Sequence, residues 1–200
     1  VFSSDEVVQE RLRHLTNLEK TVLSALGVFN QPASEKMLSA ITGMNRSAVK
    51  TSLTRSEAHG ILTVVSLQGD TPRFAFRHPS FKDALLGQEE AAGTLPGLHL
   101  RCGNVLEQRA KEKSDKIAET LAYHFEKAAD TGKAVHYLSL ATDSSMAMCD
   151  VPRALIHARQ ASRLLRENPD AVAIKESLGA QYRLAKVLFV AGELQECSAL

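Results

Sequence analysis

Two rhythms of apolar positions divide this chain. Thr16-Asn17-Leu18-Glu19 sets a hydroxyl three residues ahead of a glutamate, the pattern of a capping box. Leu18, Val22, Leu23 and Leu26 follow at helical spacing, so a helix is predicted over about 17–27, with Gly27 near its end. Pro32 and Ser34 punctuate. Met37, Leu38 and Ile41 then predict a short second helix stopped by Gly43, and Asn45 caps a third, with Val49 and Leu53 inward and Gly60 at its end. The rhythm becomes extended at Ile61-Leu62-Thr63-Val64-Val65-Ser66-Leu67, turns at Gln68 to Pro72, and alternates through Arg73-Phe74-Ala75-Phe76-Arg77-His78. This predicts a β-hairpin, with Phe74 and Phe76 sharing a core with Leu23 and Leu53. A further helix is expected from Pro79-Ser80, with Phe81, Ala84 and Leu85 inward.

Three helices followed by a hairpin are the element order of a winged helix, assigned here to residues 1–90. Gln88 to Pro96, with Gly87, Gly93 and Gly97 around it, reads as a linker. The remainder, 91–200, reads as helical: about 98–112, 116–129, 133–148, 151–166, 171–190 and the start of another at 193. The breaks between them are short, which implies antiparallel neighbours. Ala134 and Ala141 stand seven apart after Gly132, as do Ala154 and Ala161 after Asp150, so each pair lies on one helix face where a neighbour can approach closely. This is the logic of tetratricopeptide repeats. The turn-to-turn spacing is uneven, and the array is a divergent one. The expected fold is therefore mostly α: a winged helix followed by a tetratricopeptide-like array of α-hairpins.

Composition narrows the chemistry. With 24 basic and 23 acidic residues the net charge is +1, too small for a global field toward nucleic acid or an anionic membrane. The three cysteines, Cys102, Cys149 and Cys197, are far apart and include no CxxC, which argues against a disulfide scaffold or zinc site and for a reducing cytoplasm. No apolar run approaches the roughly 20 residues that span a bilayer, so no membrane partner is expected. The start, Val1 to Glu6, is no signal peptide and lacks Met, and the end falls inside a helical pattern. The chain is expected to be part of a longer one.

No Walker phosphate loop, HExxH, GxSxG or GxGxxG is present. None of the seven histidines sits at metal-ligand spacing from a cysteine or another histidine. Neither metal nor autonomous catalysis is expected, and no cofactor is assigned to the chain itself. The third helix carries Arg46, Lys50 and Arg55, and the hairpin adds Arg73 and Arg77. Such cations could contact phosphates of DNA, although the helix is otherwise rich in Ser, Thr and Ala and offers few base readers. In the helical half, Tyr123, His124, Tyr137, His157 and Tyr182, with Arg159 and Arg183, are candidates for a concave surface that holds a protein or peptide. The plainer alternative is a scaffold of packed helices.

The segment Phe76-Arg77-His78, followed by Asp83-Ala84-Leu85, resembles the "FRH…REAL" element of the signal-transducing NTPases called STAND proteins. Leu18 to Phe29 resembles the opening winged-helix helix of that family. Leu53 through Gly60-Ile61-Leu62 resembles its step into the wing, and Leu98-His99 the "LH" that follows. Leu121-Ala122-Tyr123-His124-Phe125-Glu126-Lys127-Ala128-Ala129-Asp130, then Lys133-Ala134-Val135-His136-Tyr137-Leu138, resembles its "LAYHYEEAGD…KAVRYL" repeat. The likeness covers about 15–165 and departs from the pattern at Pro79 and in the Gly-rich stretch 87–97.

The resemblance implies an ATPase domain upstream in cis that does most of the binding of ADP or ATP. It also implies a winged helix folded back on the nucleotide, and a histidine at the strand-to-helix corner that reaches the β-phosphate of ADP. His78 matches that position, with Arg77 beside it. The competing local role for His78 is to cap Ser80 or Asp83. The family resemblance thus implies a regulatory and protein-interaction segment of an ATPase switch. The alternative is a DNA-binding winged helix fused to an interaction array.

Overall fold

A computed structural model describes residues 4–65, 71–110, 114 and 116–193. Among them the protein is mostly helical, with one small sheet. It divides into two compact units at Val105–Leu106.

In the first unit, α1 is Ser4–Arg13 and α2 is Asn17–Phe29. The capping box forms as expected: Thr16 Oγ accepts from the Glu19 amide at 3.3 Å, and the Glu19 carboxylate accepts from the Thr16 amide at 2.7 Å. α2 continues two residues past Gly27, and Asn30 in the left-handed conformation ends it. β1 (Ala33–Ser34) leads into α3 (Glu35–Thr42), which Gly43 stops at φ +73°. Asn45 caps α4 (Arg46–Ala58), its side chain accepting from the Ala48 amide at 2.8 Å.

β2 (Leu62–Val65) and β3 (Arg73–Phe76) form the expected antiparallel hairpin, whose turn lies partly outside the described residues. A third strand joins it: β1 pairs with the other side of β3, giving the order β1-β3-β2, with Ala33 opposite Phe74 and Leu62 opposite Phe76. Val22, Leu23, Leu38, Ile41, Val49, Leu53, Ile61 and Leu62 are buried. Phe74 and Phe76 are only half-buried.

Two sequence expectations are corrected here. No helix was expected before residue 16, yet Val8, Leu12 and Leu15 recur at helical spacing and are buried, and α1 packs on α5. The expected linker 88–96 is largely helical. α5 runs Pro79–Ala91 and α6 runs Leu95–Ala110, leaving only 92–94 between them. Gln88, Glu89, Glu90 and Ala91 favour helix, and a bond from Ser24 Oγ to Glu89 Oε1 at 2.8 Å ties this stretch to α2. Gly93 at φ +69° supplies the turn. Pro79 sits in the first turn of α5, where its missing amide hydrogen costs nothing.

In the second unit, α7 (Ala118–Lys127), α8 (Thr131–Ala147), α9 (Val151–Glu167) and α10 (Ile174–Ala191) pack each on the next, and α10 also on α8. Ala134, Ala141, Ala154 and Ala161 are all buried. Two connections are built alike. Ala129 (φ +58°) and Cys149 (φ +60°) stand in the left-handed region. The next amides, of Asp130 and Asp150, reach back to Phe125 and Ser145 carbonyls, each at 2.9 Å. Both aspartates then cap the following helix, accepting from the Lys133 amide at 3.0 Å and the Arg153 amide at 3.1 Å. Gly192 (φ +80°) repeats the first half of the turn: the Glu193 amide donates to the Leu188 carbonyl at 3.0 Å. The expected helix from 193 falls almost wholly outside the described residues.

A left-handed backbone costs an L-residue roughly 1–2 kcal/mol that glycine avoids, at some loss of chain entropy. Ala129→Gly is therefore expected to stabilise the second unit by about 0.5–1 kcal/mol, read as a higher urea midpoint with an unchanged slope.

Candidate functional site

His78 stands where β3 hands over to α5. It is the N-cap of α5: its Nδ1 accepts from the Ser80 amide at 3.3 Å and lies 2.9 Å from Ser80 Oγ. The local capping role is thus made through Nδ1, while the ring as a whole remains exposed. Arg77 is also exposed, and its amide extends the strand by donating to the Ile61 carbonyl at 2.9 Å. An imidazole and a guanidinium therefore share the corner at which the positive end of the α5 dipole emerges.

The basic stripe on α4 is not one face. Arg46 and Lys50 are four residues apart and neighbour one another, but Arg55 is nine from Arg46, half a turn round the helix. Arg46 Nε pairs with Glu35 at 2.9 Å, and Arg55 Nε lies 3.2 Å from Glu19 Oε1. Lys50 and Arg73 are exposed. Glu19 is 2% exposed. Burial pushes its carboxyl pKa up, but the hydroxyl and amide of Thr16 and the charges of Arg55 and His59 outweigh that and hold it below the usual value.

The helical half separates the groove candidates. Tyr123 and Tyr182 are exposed, whereas His124, Tyr137 and His157 are buried. Burial takes Tyr137 out of any open groove. Its ring stacks on Phe125 at 5.6 Å, and its hydroxyl donates to Glu107 Oε1 at 2.6 Å. Burial and that carboxylate push the phenol pKa up. Lys133 completes the group, 2.7 Å from Glu107 Oε2 and 4.5 Å over the Phe125 ring. His124 sits edge-on to Tyr123 at 5.4 Å and is likewise interior. His157 lines a cavity of about 200 Å³ with Lys116, Glu119, Ser144, Ser145 and Arg153. Burial lowers its pKa.

Arg159 and Arg183 hold the array together. Arg159 pairs with Glu193, and Arg183 Nη2 with Asp143 at 2.9 Å. Arg153 with Glu119 and Gln160 with Glu126 likewise join α9 to α7. Along α10, Ile174, Leu178, Tyr182 and Phe189 form an exposed apolar stripe.

Glu19 and Glu107 were not singled out from sequence. Glu19 was read only as half of a capping box, and Glu107 gives no local signal, because its partners lie 26 and 30 residues away. Among the described residues, no group of three or more His, Cys, Asp or Glu is placed to hold a metal ion. No helix there is long and apolar enough to cross a membrane. No protein-family model, curated protein or solved structure matches the chain.

A carboxyl held below its unfolded pKa lends stability that is full above that unfolded value and is lost as pH falls through the folded one. Glu19→Gln retains the capping-box geometry but removes this titration. The variant is expected to lose less stability than the parent below about pH 4.5, the ordinary glutamate value, as followed by urea midpoints across the acid range.

Proposed function

We propose that this chain is the regulatory and protein-interaction segment of a STAND-type ATPase switch. A winged helix couples the nucleotide state of an ATPase domain earlier in the same polypeptide to a tetratricopeptide-like array that engages a protein or peptide. In this reading the chain catalyses nothing itself, ADP or ATP is held mainly by the other domain, and the assembly works in the cytoplasm.

The order α2-β1-α3-α4-β2-β3, with β3 central in an antiparallel sheet, supports the winged-helix part. The array part is supported by the regular spacing of bridges, two of which join α9 to α7 and one of which runs from α9 to the residue just past the turn that ends α10. Arg153–Glu119, Gln160–Glu126 and Arg159–Glu193 each span 34 residues, the length of a tetratricopeptide unit. The observation that carries the coupling is the β3–α5 corner. There the exposed His78 and Arg77 flank a helix N-terminus, where donors and dipole both favour a phosphate.

Switching requires that ADP and ATP favour different arrangements, and that the partner prefer one of them. With the ATPase domain in cis, His78→Ala is expected to speed ADP release about tenfold, the cost of one charge-assisted hydrogen bond. Stopped-flow release of a fluorescent ADP measures this, and an unchanged rate overturns the role of His78.

The DNA-binding alternative has less to stand on, because two of the three α4 cations are matched by carboxylates. The chain is expected to give no salt-dependent shift of duplex DNA. A shift that disappears on joint Lys50→Glu and Arg73→Glu substitution would replace the switch reading with the DNA one.

A further inference from the structure

We infer that the exposed face of α10 is a docking surface for an amphipathic helix of a partner protein, apolar along one face and carrying Asp or Glu along one edge. Ile174 and Leu178 are 80% and 60% exposed, and Tyr182 and Phe189 are 70% and 69% exposed. The first three stand four residues apart and Phe189 two turns further on, so all four project from one side of the helix. Ala180, Leu184 and Val187, on the opposite side, are buried and seat α10 on α8 and α9. Four large apolar side chains in one stripe exceed the scattered apolar residues that any surface carries. The face also has a counterpart within the chain. The turns at Cys149 and Gly192 begin alike, and aligning them sets Ile174, Leu178 and Phe189 of α10 on Thr131, Val135 and Met146 of α8. Thr131 and Val135 are buried, and Met146 packs on the cluster that α9 and α10 form around Leu155 and Leu188. Helices thus cover this face in α8, whereas no described element covers it in α10.

Charge selects the partner. Lys175 and Lys186 stand eleven residues apart, three turns, and flank the stripe on the same edge. Both are exposed, and neither has an ion-pair partner among the described residues. The other edge, at Ser177 and Gln181, is uncharged. A helix laid along the stripe therefore meets two unmatched ammonium groups on one side, which a row of carboxylates would satisfy. Tyr182 and Phe189 supply aromatic anchors of the kind that carries binding energy. A second copy of this chain is disfavoured. A two-fold axis across antiparallel helices sets each edge on itself, so Lys175 of one copy would face Lys186 of the other. Residues 194–200 are too short for the face: even as a helix they would reach ~10 Å, against ~22 Å from Ile174 to Phe189. The inference rests on the reading of the array as a protein-binding surface and is independent of the ADP coupling at His78.

The test is fluorescence anisotropy and NMR titration of the 200-residue chain with a synthetic helical peptide as long as α10, 18 residues, with leucines on one face and glutamates along one edge. Saturable binding is expected, with amide shifts concentrated in α10. It should be at least about tenfold tighter than for the same peptide with lysines in place of glutamates, or with its leucines scrambled. Leu178→Ser and Tyr182→Ser should each weaken it about tenfold or more. Leu18→Ser, at a similarly exposed apolar residue of α2, should leave it unchanged. Joint Lys175→Glu and Lys186→Glu substitution should reverse the preference, toward the lysine peptide. All these side chains are exposed, so urea midpoints are expected to stay at the parent value. The proposal is overturned by the absence of saturation, by equal binding of the lysine or scrambled peptide, or by binding indifferent to Tyr182→Ser. Binding that appears only when the chain is ended at Glu193 would assign the face to residues 194–200. Dimerisation in sedimentation velocity that Tyr182→Ser abolishes would assign it to a second copy. Either result overturns the partner helix. A failed peptide titration leaves the ADP-release test of His78→Ala standing, and an unchanged ADP release leaves the peptide titration standing, so the two readings fail separately.

Discussion

The second unit depends on one constraint, the brevity of the turns between its helices. At Ala129-Asp130 and Cys149-Asp150 a single left-handed residue ends one helix and the next residue caps the following one. No chain is left over for any route except back along the helix just completed. Each helix must therefore bury its apolar stripe on its predecessor. Alanines at 134, 141, 154 and 161 let the backbones come close enough for Leu121, Phe125, Leu138 and Leu188 to be fully buried. The ion pairs between alternate helices follow from this placement, since turning back twice brings α9 beside α7 and α10 beside α8.

The first unit solves a different problem. Helices α2, α3 and α4 do not enclose the core by themselves; α5 packs on α2, and the three-stranded sheet adds a further side through β2 on α4. Two residues of β1 suffice, because β3 is central and has a partner on each edge. The same strand delivers its chain directly into α5, so the corner residues Arg77 and His78 are set by a ladder on one side and a helix cap on the other. That double restraint sets the backbone of both exposed residues at a helix N-terminus, the feature on which the proposed coupling rests.

Around Glu19, with Thr16 and Arg55, and around Glu107, with Tyr137 and Lys133, hydrogen bonds and opposite charge overcome the penalty of burial, Glu19 Oε1 being met by the Arg55 charge without a hydrogen bond. They hold elements together.

The local signals were legible in sequence because they are local. The capping box at Thr16, the stops at Gly43 and Gly60, the change to strand rhythm at Ile61 and the paired alanines all act within a turn or two of themselves, and each is where it was expected. Helix α1 was equally legible in Val8, Leu12 and Leu15. The stretch 88–96 reads as a linker because Gly93 lies in it and Gly87 and Gly97 flank it, whereas the bond from Ser24 to Glu89 adds a tertiary contribution that composition does not contain. The fate of the aromatic and basic candidates was a tertiary matter throughout. Nothing near Tyr137 announces Glu107, nothing near Arg55 announces that Glu19 faces it, and His157 meets Ser144 and Lys116 only once three helices have packed. Sequence determined which residues begin and end each element, because those energies are short-ranged. Tertiary structure alone decided which polar side chains are closed off and which remain open, because that depends on partners brought together from distant parts of the chain.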